Sequence, residues 1–126
     1  MITTGIDIIE IERIEKIVRT YTNRFLNRIY TQEELNYCRG RYPQLAARFT
    51  AKEAVMKALG TGTRGVGWQD IEIIRTPGNP PKILLHSRAA KRARTIQLTH
   101  FALSLSHSRE YAVASVIAFN NETLSN

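Results

Sequence analysis

The segment from Gln44 to Leu59, QLAARFTAKEAVMKAL, most constrains what this chain can fold into. Alanines at 46, 47, 51, 54 and 58, with Leu45, Phe49, Val55 and Met56 among them, make a strong and largely apolar helix. Pro43 breaks the chain before it, and Gly60 supplies its stop, because glycine accepts the left-handed conformation that ends helices. Lys52, Glu53 and Lys57 interrupt the apolar run. Glu53 and Lys57, at i and i+4, share one face with Phe49. That spacing suits an ordinary surface ion pair, worth about 0.3 kcal/mol.

The rest of the chain is read around this helix. ITTGIDII, residues 2–9, is short and rich in β-branched residues, as a buried strand is. Ile14, Ile17, Val18 and Tyr21 recur at helical spacing, and Phe25 and Ile29 continue the apolar stripe. Thr31 with Glu34 three residues on predicts a capping box and a short helix. After the loop GTGTRGVG, DIEIIRT and KILLH read as strands around the turn-rich TPGNPP. Ser87 is expected to cap a helix running through Ala93, and FALSLSH pairs with YAVASVIAF as a hairpin across SRE. The order β-α-α-α-β-β-α-β-β predicts an α+β domain over residues 1–119 with a largely antiparallel sheet. Residues 120–126 read as a short polar tail.

Composition narrows the function classes. The chain has 126 residues, a size for one domain, and 43% apolar side chains, enough for a core. No apolar run is long enough to span a membrane, and the N-terminus lacks the layout of a secretory signal. Cys38 is the only cysteine, which excludes an internal disulfide and points to the cytoplasm. The net charge of +7 calls for an acidic partner without naming it. Residues 1–40 are balanced, so the excess lies beyond them. Arg13, Lys16, Arg19, Arg24 and Arg28 nevertheless form a basic strip interrupted only by Glu15, and Lys82, Arg88, Lys91, Arg92 and Arg94 form a second. Either strip also reads as a solvated helix face.

Gly60, Gly62 and Gly65 spell G-x-G-x-x-G, but after a helix and before a strand, the reverse of a dinucleotide fold. The histidines at 86, 100 and 107 lack metal-ligand spacing. Two features remain. Asp7 sits in an otherwise apolar strand, where a carboxylate must be paired, hold a metal or cap the following helix. Glu53 sits on the Ala-rich helix with Lys57 beside it. Asp7 and Glu53 together could hold Mg²⁺, which takes one or two protein carboxylates and completes its shell with waters and phosphates.

Three motifs, in order and at suitable spacing, resemble a known family. G-I-D-I-I-E-I-E-R, from Gly5 through Asp7 to Arg13, is similar to its N-terminal signature. R-F-T-A-K-E-A-V-M-K-A-L-G-T-G, residues 48–62, is similar to its F-x-x-K-E-A-x-x-K-A helix and following loop. S-L-S-H-S-R-E-Y-A-V-A, residues 104–114, is similar to its S-x-S-H element and closing hairpin. The family is holo-acyl-carrier-protein synthase, the small bacterial 4′-phosphopantetheinyl transferase.

The resemblance implies that the chain is one half-unit of the larger, pseudo-dimeric transferases, with a homotrimer sharing active sites between subunits. It implies Mg²⁺-dependent transfer of 4′-phosphopantetheine from coenzyme A to a serine of apo acyl carrier protein, with release of adenosine 3′,5′-bisphosphate. Asp7 and Glu53 match the metal ligands, and Lys57 matches the lysine on the transferring phosphoryl; Lys52 lies one position off that face. Glu53 or a metal-bound water would accept the serine proton. Ser106, His107 and Arg48, with Arg41 as a further phosphate contact, match the coenzyme A side, and Gly62 lies in a loop able to approach it. Arg13, Arg24 and Arg28 match the surface meeting the acidic carrier. The stretch Thr95–His100 lacks the glycine many relatives carry, so a different loop is expected there, and His100 has no role. A small basic RNA-binding protein and a catalytically silent coenzyme A binding module are the rival readings. Aromatics at 8%, scattered along the chain, argue against the first. The retained Asp7, Glu53 and Lys57 argue against the second.

Overall fold

The computed structural model describes residues 1–122, so residues 123–126 of the tail lie outside it. Strand β1 (Ile2–Glu10) runs directly into helix α1 (Ile11–Tyr21), followed by α2 (Asn23–Ile29) and α3 (Gln32–Cys38). The Ala-rich helix α4 spans Tyr42–Leu59. After a single 3-10 turn at Trp68–Asp70 come β2 (Ile71–Ile74), β3 (Lys82–Leu85), α5 (Ser87–Thr95), β4 (His100–His107) and β5 (Tyr111–Phe119). The fold is α+β and both sheets are antiparallel: β1-β5-β4, with β5 in the middle, and the two-stranded β2-β3.

Alternation along the strands decides where α4 lies. Gly5, Asp7 and Ile9 of β1 share a face with Ala112, Ala114, Val116 and Ala118 of β5, and those β5 residues are buried. Small side chains on the sheet meet Ala51, Ala54 and Ala58 on the helix, all buried. The approach is closest at Gly5, where a Cβ would collide with the Ala54 backbone carbonyl. Glycine is needed here for lack of bulk. Ile14, Ile29, Tyr30 and Leu45 form a second apolar cluster under α1–α3, where the Tyr30 hydroxyl donates to the Leu45 carbonyl at 2.7 Å.

Three local expectations are corrected. Pro43 does not break the chain: it sits in the first turn of α4, where its missing N–H costs nothing. Ser87 is not a cap. It is the first residue of α5, at φ 46°, with His86 in the cap position, and the helix runs on to Thr95. Lys57 does not pair with Glu53, as shown below. The capping box is present: Thr31 Oγ1 accepts from the Glu34 N–H, and Glu34 Oε1 accepts from the Thr31 N–H. Gly60 ends α4 at φ 72°, and Arg92 Nε donates to the Leu59 carbonyl at 2.9 Å. In the stretch that lacks a glycine, Gln97 adopts φ 60°. His100 stacks on Phe119 at 5.2 Å.

Gly5→Ala is expected to lower stability by about 3 kcal/mol, because an added methyl must push the strand from the helix. Urea denaturation measures it; a loss below about 1 kcal/mol would mean the contact relaxes freely.

Candidate active site

The close contact of β1 with α4 aims Asp7 at one helix face. Thr50, Glu53 and Lys57 follow one another there at spacings of three and four residues. Thr50 Oγ1 donates to Asp7 Oδ2 at 2.6 Å, and Lys57 Nζ lies 3.2 Å from Asp7 Oδ1. The same ammonium donates to the Ile6 carbonyl at 2.8 Å. Lys57 is therefore committed to Asp7 instead of the neighbouring glutamate on its own helix. Asp7 does not cap α1, whose N-terminal flanking residue is Glu10.

Glu53 is half-buried and, among the described residues, takes no side-chain hydrogen bond or salt bridge. Burial raises its carboxyl above the usual value of 4.5, and the charge on Asp7 raises it further, against the opposing pull of Lys57 and Arg13. Two carboxylates are thus held together with an incomplete share of positive charge. No group of three or more His, Cys, Asp or Glu residues able to hold a metal occurs among the described residues. A two-carboxylate site suits Mg²⁺, which retains waters and takes substrate phosphates, better than a cation that requires a full protein cage.

A cleft of about 300 Å³ opens over this pair, lined also by Arg13, Phe49, Thr63 and Trp68. Ile17 forms part of its rim and part of a second groove, of about 330 Å³, with Tyr21, Arg24, Phe25 and Arg28. Apolar rings between two guanidinium groups suit an amphipathic acidic segment. Lys16 and Arg19 instead face Glu12 and Glu15 of their own helix, at 3.4 and 3.6 Å. Of the basic strip, Arg13, Arg24 and Arg28 are the ones turned to these clefts.

Arg48, Ser106 and His107 line a different cleft, of about 260 Å³, with Tyr37, Gln44 and Arg75. Arg48 is 4% exposed, its guanidinium lies 4.2 Å from the Tyr37 ring centre, and its Nε has no hydrogen-bond partner. A buried guanidinium with an unused donor suits an anion. Arg41 beside it donates from Nε and Nη2 to the Cys38 and Tyr37 carbonyls. Gly62, at φ 59°, lies exposed and lines none of these clefts, although Thr63 of its loop reaches the first. Within one chain the carboxylate cluster and the Arg48 cluster do not converge.

Lys52 points the other way. Its side chain is fully buried and pairs with equally buried Glu34 at 2.8 Å. Burial draws its pKa below the usual lysine value, opposed by Glu34. Sequence reading did not place Thr50, Trp68, Tyr37 or Arg75 at these clefts. For Thr50 the signal was present in its spacing from Glu53 and Lys57; the others arrive from distant segments and left none.

Comparison with known proteins then decides the family. Residues 3–116 match the model of the 4′-phosphopantetheinyl transferase superfamily. The chain belongs to that superfamily. It is 48% identical over 118 residues to a holo-acyl-carrier-protein synthase of Koribacter versatilis, covering 90% of this chain and 94% of the relative. The holo-acyl-carrier-protein synthase of Moorella thermoacetica is 48% identical over 117 residues, covering 90% and 91%. Among solved structures, the Helicobacter pylori synthase in complex with coenzyme A superposes with a TM-score of 0.84 at 32% identity, covering 92% of this chain and 99% of that one. The Neisseria meningitidis synthase does so with a TM-score of 0.87 at 33% identity, covering 95% and 100%.

Because the folded-state pKa of Glu53 is raised, its contribution to stability is lost as pH rises through its titration. In chelator at pH 7, Glu53→Gln is expected to unfold at the same or a higher urea concentration than the parent protein. A lower midpoint would show that the carboxylate is not strained by Asp7.

Proposed function

We propose that this protein transfers the 4′-phosphopantetheine arm of coenzyme A to a serine hydroxyl of an apo acyl carrier protein, releasing adenosine 3′,5′-bisphosphate. The observation that carries the reading is the Asp7–Glu53 carboxylate pair with Lys57, set in a cleft that adjoins a basic, apolar groove. Residues 1–119 form the transferase domain. Asp7 and Glu53 would hold Mg²⁺, whose chemistry there is to neutralise charge on the pyrophosphate. Lys57, more than half exposed, offers its ammonium to the transferring phosphoryl group. Thr50 and Lys57 hold the Asp7 carboxylate in place. Glu53 lines the same cleft and would be one acceptor for the serine proton. Phe49 and Trp68, stacked at 4.9 Å, exclude water from one side.

Arg24 and Arg28, with Phe25 and Tyr21 between them, form the carrier-docking groove, and Arg13 stands where it meets the cleft. Arg48, Ser106 and His107 bind the phosphorylated nucleotide end of coenzyme A, while the loop that holds Gly62 reaches the carboxylate cleft through Thr63. Since the Arg48 cleft is separate from Asp7 and Glu53, a neighbouring copy of the chain completes each site. The outer sheet face supports this: Ile6, Ile8, Tyr111 and Ile117 are exposed there, and Ser106 is on the same face, in register with Val113 and Ile8. We read it as the contact surface of a homotrimer. Among the described residues no helix is long and apolar enough to cross a membrane, in keeping with a cytoplasmic reaction.

Intact mass spectrometry of an apo carrier protein with this protein, coenzyme A and Mg²⁺ is expected to show a gain of about 340 Da, abolished by chelation and by Asp7→Ala. Coenzyme A binding without any mass gain would instead identify a silent binding module. In the same assay Arg24→Ala and Arg28→Ala are expected to raise the KM for carrier protein about tenfold and flatten its salt dependence, with coenzyme A affinity unchanged. Equal loss of both affinities would contradict the docking groove.

A further inference from the structure

Lys52 is a costly residue to bury. All three of its protons are used: its Nζ reaches Glu34 Oε1 at 2.8 Å, the Trp68 carbonyl at 3.0 Å and the Ile71 carbonyl at 2.5 Å. Replacing a buried ion pair with apolar side chains is often neutral or stabilising, so core stability alone does not call for a charge here. What the ammonium holds is more informative. Its two carbonyl partners bracket the single turn Trp68–Asp70. The Trp68 ring lies on Phe49 with 19° between the planes, and both rings line the cleft over Asp7 and Glu53.

The same turn is tied down from other sides. Gln69 Nε2 donates to the Tyr30 carbonyl at 2.9 Å and to the Asn27 carbonyl of α2, the helix that carries Arg24 and Arg28. The Asp70 carbonyl accepts from the His86 N–H at 2.7 Å. Glu34, the counter-ion, also accepts from the Ile73 N–H at 2.8 Å just beyond the turn. From these contacts we infer that Lys52, paired with Glu34, is a positioning residue: it clamps the Trp68 turn to the helix that carries Glu53 and so makes the Trp68–Phe49 stack a fixed wall of the reaction cleft. Lys52 itself touches no substrate, since its side chain is fully enclosed. The kinetic consequence rests on the proposed transferase reading; the structural one does not.

Trp68 is the only tryptophan in the chain, so its fluorescence reports the clamp directly. The test uses Lys52→Met with Glu34→Gln, which removes both charges together and avoids stranding either one. The variant is expected to stay folded by circular dichroism, with Trp68 emission shifted to the red and quenched by acrylamide at least about twofold more efficiently. Its kcat for transfer is expected to fall about tenfold, with the KM for carrier protein within about twofold of the parent value. A second variant, Trp68→Leu, keeps the buried pair and is expected to show the same kcat loss with an unchanged thermal midpoint. Emission like that of the parent in the folded double variant would overturn the inference, as would a parental kcat in either variant. Should the double variant fail to fold, the kcat of Trp68→Leu decides. Should the parent protein transfer nothing, the transferase reading fails, and the emission of Trp68 still judges the clamp.

Discussion

The contact between Gly5 and Ala54 is the one on which the rest of the structure depends. With no side chain at Gly5, β1 lies directly on the backbone of α4. Only at that separation do Thr50 and Lys57 reach the Asp7 carboxylate from the helix. The alanines of α4 and β5 keep the same spacing along the remainder of the interface. Close packing of small groups also leaves little slack, so the position of Asp7 is set by backbone contacts instead of by adaptable side chains.

Charge in and around this interface is arranged in two contrasting ways. Lys52 and Glu34 neutralise each other completely and have their remaining hydrogen-bonding capacity met by backbone groups. Asp7 and Glu53 are not both neutralised: Lys57 serves Asp7, and Glu53 keeps a raised proton affinity. One pair therefore reads as architecture and the other as a site prepared for something cationic. The distinction matters because Lys52 and Glu53 are adjacent in sequence, yet one is enclosed in the core and the other lines the cleft.

The basic excess is divided in the same manner. Lys16 and Arg19 pair along α1, Arg92 closes the end of α4, and Arg88 lies 3.7 Å from Asp70. Arg24 and Arg28 flank an apolar groove, while Arg48 is buried over Tyr37 with a donor unused. Charged groups facing clefts without a partner on their own chain are the ones that bear on binding; the others are accounted for locally. The separation of the Arg48 cleft from the carboxylate cleft gives the exposed Ile6, Ile8 and Ile117 face its significance, because bringing two copies together there would join what one chain keeps apart.

Most of the element order was legible because it is written in local periodicity: the Thr31–Glu34 box, the α4 alanines, the Gly60 stop and the alternating β5 strand each depend on near neighbours. Pro43 and Ser87 were misjudged at helix starts, where a proline is tolerated in the first turn and a serine need not accept a capping bond. Asp7, Glu53 and Lys57 could be named in sequence, but not their pairing. Spacing alone favoured Glu53 with Lys57, and only the approach of β1 offered Lys57 a better carboxylate. The sequence by itself determined the α+β order, the residue types at the site and the superseding of charge by motif as the guide to function. Only the tertiary structure decided that Lys52 is enclosed, that Trp68 walls the cleft and that the two clusters stay apart. Those facts depend on backbones distant in sequence meeting at short range, which no local pattern encodes.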